Sequence, residues 1–94
     1  MAGAVGDDPY ADAALQGLTT SGVDLHYLLK VPGPSGMAFI TVDDDGNNMI
    51  VVTPGANAAM NAMRMDQLRA EVTTSDLIVL QGEIPIDGLS RAIE

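Results

Sequence analysis

The sequence has 94 residues, 47% of them hydrophobic but only 3% aromatic, so it allows one small domain with a largely aliphatic core. Thirteen acidic and four basic residues give a formal charge of −9, which argues against a nucleic-acid partner and against an anionic membrane surface. There is no cysteine, and no apolar run approaches the roughly 20 residues that a membrane-spanning helix needs. Because the N-terminus also lacks the features of a secretory signal, we expect a soluble protein of the cytoplasm.

The first predicted element is a helix near the N-terminus. Asp7 or Asp8 can cap it, and Pro9 then lies in the first turn, where proline is favoured. Apolar residues at helical spacing continue the helix. Residues 19–22 are predicted to end it, because Gly22 can adopt a left-handed conformation.

Strands are predicted to follow this helix. The first covers 25–31 and ends at a Pro-Gly-Pro sequence. Two more, 37–42 and 49–53, are joined by an acidic turn at 43–47. A calcium loop counted from Asp43 would need glycine at its sixth position, where this sequence has asparagine. We therefore predict an ordinary hairpin turn.

Both faces of the predicted hairpin are apolar. Alternation places Phe39 and Val51 on one face, and Ile40 and Val52 on the other. A hairpin with one solvated face normally alternates apolar and polar residues. We therefore expect both faces to be covered, one by the domain itself and the other by a ligand or a second subunit.

The C-terminal half predicts two helices with a strand between them. Asn57 is interpreted as a helix cap, and 66–72 has helical composition. The aliphatic run 77–80 is predicted to be a strand buried on both faces. The last helix opens at 84–87 and has no stop signal before Glu94. Because a buried strand needs neighbours that this sequence does not supply, we interpret the chain as an interior part of a longer protein.

Four short motifs occur in order along the chain. They are Gly6-Asp7-Asp8, SGVD at 21–24, SGMAFITVDDDGNNMIVVTPGAN at 35–57 and LIVLQGEIP at 77–85. Their order and spacing resemble the middle part of a ribokinase-type (PfkB-family) carbohydrate kinase, over nearly all of the chain. The resemblance implies a fragment of a ribokinase-like three-layer α/β/α fold with a protruding β-hairpin lid. The partial domain would cover 1–94, with lid strands over about 25–53.

The resemblance also implies a function. Family members are ATP-dependent kinases, so this chain would be part of an enzyme that phosphorylates ribose or a related sugar with the help of Mg²⁺. Ala38, Ile40 and Val52 would be lid residues that face the sugar, and Glu83 would bind it just beyond the strand at 77–80. That position for Glu83 agrees with ligand binding at the carboxyl ends of strands in open α/β sheets. The lid of a second subunit would pair with this one in a homodimer.

Three positions depart from the family pattern, and several family segments do not occur in the chain. Ala11 stands where glycine is common, Ser35 replaces threonine, and Asn47 stands where glutamate is common. The glycine-rich segment of the family and its Gly-Ala-Gly-Asp segment, which supplies the catalytic base, are not found here. No catalytic residue or metal ligand is therefore assigned, and ATP and Mg²⁺ are expected only in the full-length family enzyme.

Two alternatives to an enzyme fragment remain open. One is a non-catalytic relic of a kinase that acts as a lid-mediated dimerisation or sugar-binding module. The other is a free-standing acidic domain that binds a small molecule. In each case the single histidine, His26, is interpreted as a surface or strand-end residue, because no cysteine or serine arrangement accompanies it.

Overall fold

The computed structural model describes all 94 residues. In chain order the elements are β1 (Ala2–Val5), α1 (Pro9–Thr20), β2 (Tyr27–Lys30), β3 (Met37–Val42), β4 (Asn48–Thr53), a 3₁₀ helix (Gly55–Ala59), α2 (Ala62–Thr74) and α3 (Ile86–Ile93). Strands β1 and β2 form a parallel pair, and β3 and β4 form a separate antiparallel hairpin. The predicted α/β architecture is confirmed.

Helix α1 begins and ends where the sequence predicts. The Asp8 carboxylate accepts hydrogen bonds from the backbone N–H groups of Tyr10 and Ala11, at 3.1 and 3.0 Å, and Pro9 occupies the first turn. These are the bonds of an N-cap, which satisfies donors that have no partner inside the helix. After Thr20 the chain turns through Gly22, whose φ is +73°.

Strand β1 has no counterpart among the predicted elements, because Ala-Gly-Ala-Val is short and shows no alternation. It pairs with β2 in register, from Ala2 opposite Tyr27 to Val5 opposite Lys30, and the N–H of Val31 continues the ladder to the carbonyl of Val5. Since parallel strands end at the same edge of a sheet, the residues after β1 meet the residues after β2.

The prediction that Asn57 caps a helix is wrong. Helix α2 begins after Asn61, whose side chain accepts a hydrogen bond from the N–H of Arg64 at 3.1 Å. Asn57 instead lies within the 3₁₀ helix that precedes it. The predicted helix at 66–72 is confirmed and is longer than the sequence indicated.

The largest hydrophobic cluster lies where α2 and α3 pack together. Its buried members are Met60, Met65 and Leu68. Half-buried side chains from elsewhere in the chain surround them: Ala4, Tyr27, Val72, Ile84 and Ala92. The cluster therefore joins the β1–β2 pair to the two C-terminal helices.

The strand predicted at 77–80 is not formed. Its four residues lie outside any strand, and their exposed fractions are 81%, 43%, 86% and 41%. A buried strand needs a neighbour to accept and donate backbone hydrogen bonds. The two sheets of the chain are the β1–β2 pair and the β3–β4 hairpin, and neither includes this segment.

The molecule is elongated and has little interior. Its radius of gyration is 14.9 Å, whereas about 12 Å is expected for a compact domain of this length. Nine of 94 residues are buried, and no large side chain is completely buried. Every residue from Ala38 to Val52 is exposed, so the hairpin projects from the rest of the chain.

Candidate functional site

The hairpin brings the three predicted sugar-facing lid residues onto one surface. In its register Ala38 pairs with Val52, and Ile40 pairs with Ile50. Directly opposite residues of an antiparallel pair share a face, and alternate residues of one strand do the same. Ala38, Ile40 and Val52 therefore lie together on one apolar, exposed face of a two-stranded platform.

The opposite face of the hairpin is also apolar and also exposed. It carries the cross-strand pairs Phe39–Val51 and Thr41–Met49. Phe39, Val51 and Met49 are each more than half exposed. The sequence prediction of a hairpin with two apolar faces is thus confirmed. The expectation that the domain itself covers one of them is wrong, because the hairpin projects from the rest of the chain and both faces are exposed.

The acidic turn at the hairpin tip is closed by its own hydrogen bonds. The Asp43 carboxylate accepts from the side-chain amide of Asn47 at 2.9 Å and from the backbone N–H groups of Asn47 and Asp45 at 2.8 and 3.0 Å. The bonds to Asn47 are the main reason that the pKa of Asp43 lies below its ordinary value. Gly46 has a φ of +84°, as such a turn requires. The predicted hairpin turn is confirmed.

The hairpin base, which we define as residues 34–36 and 54–57, is tied to the end of β1 and to α1. The Asp8 carboxylate accepts from the backbone N–H of Ser35 at 2.6 Å and from its hydroxyl at 3.1 Å. The Ser35 hydroxyl oxygen in turn accepts from the N–H of Gly6 at 2.9 Å. The Ser35 N–H is the main reason that the pKa of Asp8 lies below its ordinary value. Ser35 is the one buried polar residue of the chain.

The two chain segments of the hairpin base are in close contact. The N–H of Ala56 donates to the carbonyl of Pro34 at 2.9 Å. A Cβ atom on Gly36 would lie 2.7 Å from the Asn57 side-chain nitrogen and 2.8 Å from the Pro54 carbonyl oxygen. Gly55 has a φ of +45°, and a Cβ there would lie 2.6 Å from the Pro34 carbonyl oxygen. Only glycine fits at these two positions without displacing the neighbouring backbone.

Glu83 is not held in place. It is exposed, its backbone N–H donates to the Gln81 side chain at 2.7 Å, and its carboxylate makes no hydrogen bond or ion pair. It follows the segment 77–80, which forms no strand, so no sheet fixes the position of Glu83 relative to the hairpin. Its role in sugar binding stays a prediction.

Sequence reasoning found Asp8 as a helix cap but missed its second role. The Ser35 contact spans 27 residues and depends on the parallel pairing of β1 with β2, which the sequence did not predict. The available signal was a small polar residue between Pro34 and Gly36, shortly before a predicted strand.

No helix of the chain has both the length and the apolar composition to cross a membrane. No three His, Asp or Glu side chains are grouped so as to hold a metal ion.

Comparisons with known proteins identify the family of the chain. The model of the pfkB family of carbohydrate kinases matches residues 1–94. The ribokinase of Schizosaccharomyces pombe is 32% identical over 95 residues, which are 100% of this chain and 30% of that protein. The deoxyribokinase of Salmonella typhi is 35% identical over 91 residues, with 96% of this chain and 30% of that protein covered. The chain therefore spans about 30% of the length of these relatives.

Solved structures agree with the sequence comparisons. The ribokinase of Thermotoga maritima aligns with a TM-score of 0.79 and 33% identity, over 94% of this chain and 28% of that one. The ribokinase of Giardia lamblia aligns with a TM-score of 0.77 and 34% identity, over 94% of this chain and 27% of that one. The predicted ribokinase-like fold is confirmed by these alignments. The chain belongs to the pfkB family of carbohydrate kinases.

Proposed function

We propose that these 94 residues are the lid-bearing segment of an ATP-dependent kinase that phosphorylates ribose or a related sugar. The observation that carries the proposal is the exposed apolar face formed by Ala38, Ile40 and Val52 on a projecting hairpin. A platform of this kind can cover the C–H surface of a sugar and exclude water from it. Family membership supports the kinase class, since the match extends over the whole chain.

Glu83 is the proposed polar contact to the sugar. A charged carboxylate can accept hydrogen bonds from sugar hydroxyl groups, and it has no competing partner in this chain. The proposed arrangement is therefore an apolar lid above the sugar and a carboxylate beside it. Together they would bind and orient the sugar and keep water away from the reacting hydroxyl.

The nucleotide and metal contacts are proposed to lie in segments of a full-length kinase outside residues 1–94. The chain itself offers no cluster of side chains suited to Mg²⁺. When bound, Mg²⁺ would supply neutralisation of the charge on the phosphoryl group. Such an enzyme would act in the cytoplasm, where ATP is available.

The second apolar face of the hairpin is the proposed dimer contact. Phe39, Met49 and Val51 lie on the side away from the proposed sugar contacts, and all three are exposed. Exposed apolar surface of this extent is typical of an interaction site. A second copy of the same hairpin has matching chemistry, so we propose a homodimer.

The test is a coupled assay with purified full-length kinase that carries this segment. Ribose, deoxyribose and fructose are supplied in turn with ATP and Mg²⁺, and reactions without ATP or without sugar are the controls. Phosphorylation of ribose or deoxyribose in preference to fructose is the expected result. Equal rates with and without each sugar would contradict the proposal, and the ratio of kcat/KM values would identify the preferred sugar.

A further inference from the structure

Asp8 holds two parts of the chain with its two carboxylate oxygens. Oδ1 accepts from the N–H groups of Tyr10 and Ala11, which is the capping of α1, and also from the Ser35 hydroxyl. Oδ2 accepts only from the Ser35 N–H, at 2.6 Å. One carboxylate thus joins the start of a helix to the segment that enters the hairpin.

The hairpin beyond this point has no comparable attachment. All residues from Ala38 to Val52 are exposed, and β3 and β4 pack extensively only on each other. The base ends at Gly36, directly before β3, and begins again at Pro54, directly after β4. The structure therefore changes abruptly from a fixed base to a free platform within one or two residues.

We propose that Asp8 and Ser35 are positioning residues, which hold the hairpin base against α1 and β1 and so orient the projecting hairpin toward a sugar. The inference rests on the proposed function, since the sugar is what the hairpin covers. Neither residue touches the sugar in this arrangement. They determine the direction from which Ala38, Ile40 and Val52 approach it.

The expected effect of a loosened base on sugar affinity follows from the fraction of molecules whose hairpin is correctly oriented. If the base samples several orientations, only a fraction of molecules can close productively, and the apparent affinity for sugar falls by that fraction. The nucleotide is bound by other parts of the enzyme, so its affinity is unaffected. A loss that falls on the sugar alone separates a positioning role from general destabilisation.

Asp8→Asn is the sharpest substitution, because it separates the two roles of the carboxylate. Asparagine is as good an N-cap as aspartate, so its side-chain oxygen can keep the bonds to Tyr10 and Ala11. Its NH₂ group then faces the Ser35 N–H, and two donors cannot bond to each other. Ser35→Ala keeps that N–H but removes the hydroxyl, so it loses the bond to Asp8 Oδ1 and the acceptor of the Gly6 N–H. Ser35→Thr keeps the hydroxyl and is the conservative variant.

Matched controls are available within the chain. Asp12→Asn removes one charge from the same helix at an exposed residue that makes no side-chain hydrogen bond. Ser90→Ala removes one hydroxyl from an exposed position in α3. All variants are made in the full-length kinase that carries this segment. Sugar KM, ATP KM and kcat are measured, together with hydrogen exchange of the backbone amides of Ser35 and Ala56.

In Asp8→Asn and Ser35→Ala we expect sugar KM to rise about five- to tenfold, ATP KM to stay within twofold, and the Ser35 and Ala56 amides to exchange faster. Ser35→Thr and both controls should stay within twofold of the parent. Unchanged sugar KM with unchanged exchange, or an equal rise in ATP KM, would overturn the inference. If Asp8→Asn does not fold, Ser35→Ala decides the outcome. If the parent enzyme phosphorylates no sugar, the proposed function fails, and the exchange rates still decide whether Asp8 and Ser35 hold the base.

Discussion

The hairpin and the C-terminal half of the chain, residues 60–94, differ in what stabilises them. In the hairpin, β3 and β4 are neighbours in sequence and satisfy each other's backbone groups, although their side chains stay exposed. In the C-terminal half, α2 and α3 satisfy their own backbone and pack around a small buried cluster. The aliphatic segment 77–80 has no neighbouring strand to pair with and does not form a helix, and it forms no strand. Backbone pairing, rather than hydrophobicity, therefore decides where this chain forms strands.

The largest expected effect is on the buried cluster. Leu68 is 3% exposed and Leu77 is 81% exposed, so they allow the same substitution in the two environments. Leu68→Ala should lower the free energy of unfolding by about 2–5 kcal/mol, because it leaves a cavity in the only sizeable core. Leu77→Ala should change it by less than about 0.5 kcal/mol. Urea unfolding of the chain, followed by circular dichroism, measures both. A comparable loss at Leu77 would indicate that 77–80 is packed in solution.

The next effect concerns the second face of the hairpin. Phe39→Asp places a charge where we propose that two copies meet, and an unpaired charge is unfavourable in a dry interface. We expect the dimer of the full-length kinase to weaken by about a hundredfold, or about 2.8 kcal/mol. Sedimentation velocity over a concentration series measures this change. Asp44→Asn at the hairpin tip is the control, and an unchanged dimer with Phe39→Asp would show that this face is solvated.

Glu83→Gln tests the residue that the structure leaves without partners. Glutamine keeps the shape and one acceptor oxygen but removes the charge. A hydrogen bond to a charged group contributes roughly 1.5–3 kcal/mol, against about 0.5–1.5 kcal/mol for a neutral one. In a full-length kinase, sugar KM should rise about tenfold, and ATP KM should remain nearly unchanged. Steady-state kinetics with each substrate varied in turn separates the two. A change in ATP KM alone would place Glu83 near the phosphate groups, and no change would make it an ordinary surface carboxylate.

The smallest effect is local and depends on pH. Because the folded-state pKa of Asp43 lies below its ordinary value of 3.8, its stabilising contribution is complete above that value and is lost as pH falls through the lower folded pKa. Amide exchange of Asp45 and Asn47 should therefore become relatively faster below about pH 4, after correction for intrinsic rates. Asp43→Asn should abolish this dependence, whereas Asp44→Asn should keep it. A flat profile in the parent chain would mean that the turn opens without protonation of Asp43.

Most of the elements that the sequence predicted correctly are held by nearby residues, and β2, which pairs with the distant β1, is the exception. The cap of α1, the hairpin strands and the turn at Asp43 all depend on partners within a short stretch of chain, and alternation or capping residues mark them. Strand β1 and the contact between Asp8 and Ser35 depend on partners far along the chain, and no local pattern marks those.

The candidate site also contains residues that a local pattern predicts and one that it does not. The shared face of Ala38, Ile40 and Val52 follows from alternation once the register is known. The position of Glu83 does not, because it depends on how 77–80 is placed relative to the β1–β2 pair. The family resemblance assigned a role to this residue that no local pattern in the chain could assign.

The projecting hairpin has a consequence for the solubility of the chain. A two-stranded sheet has two unpaired edges, and here those edges flank apolar side chains on both faces, which is a template for aggregation. Three consecutive aspartates at the tip and a formal charge of −9 oppose such association by repulsion between copies. Light scattering should therefore increase most steeply as pH approaches the isoelectric point near 4.1, and added salt should increase it at neutral pH. The negative charge of the chain would then limit non-specific association of uncovered hairpins.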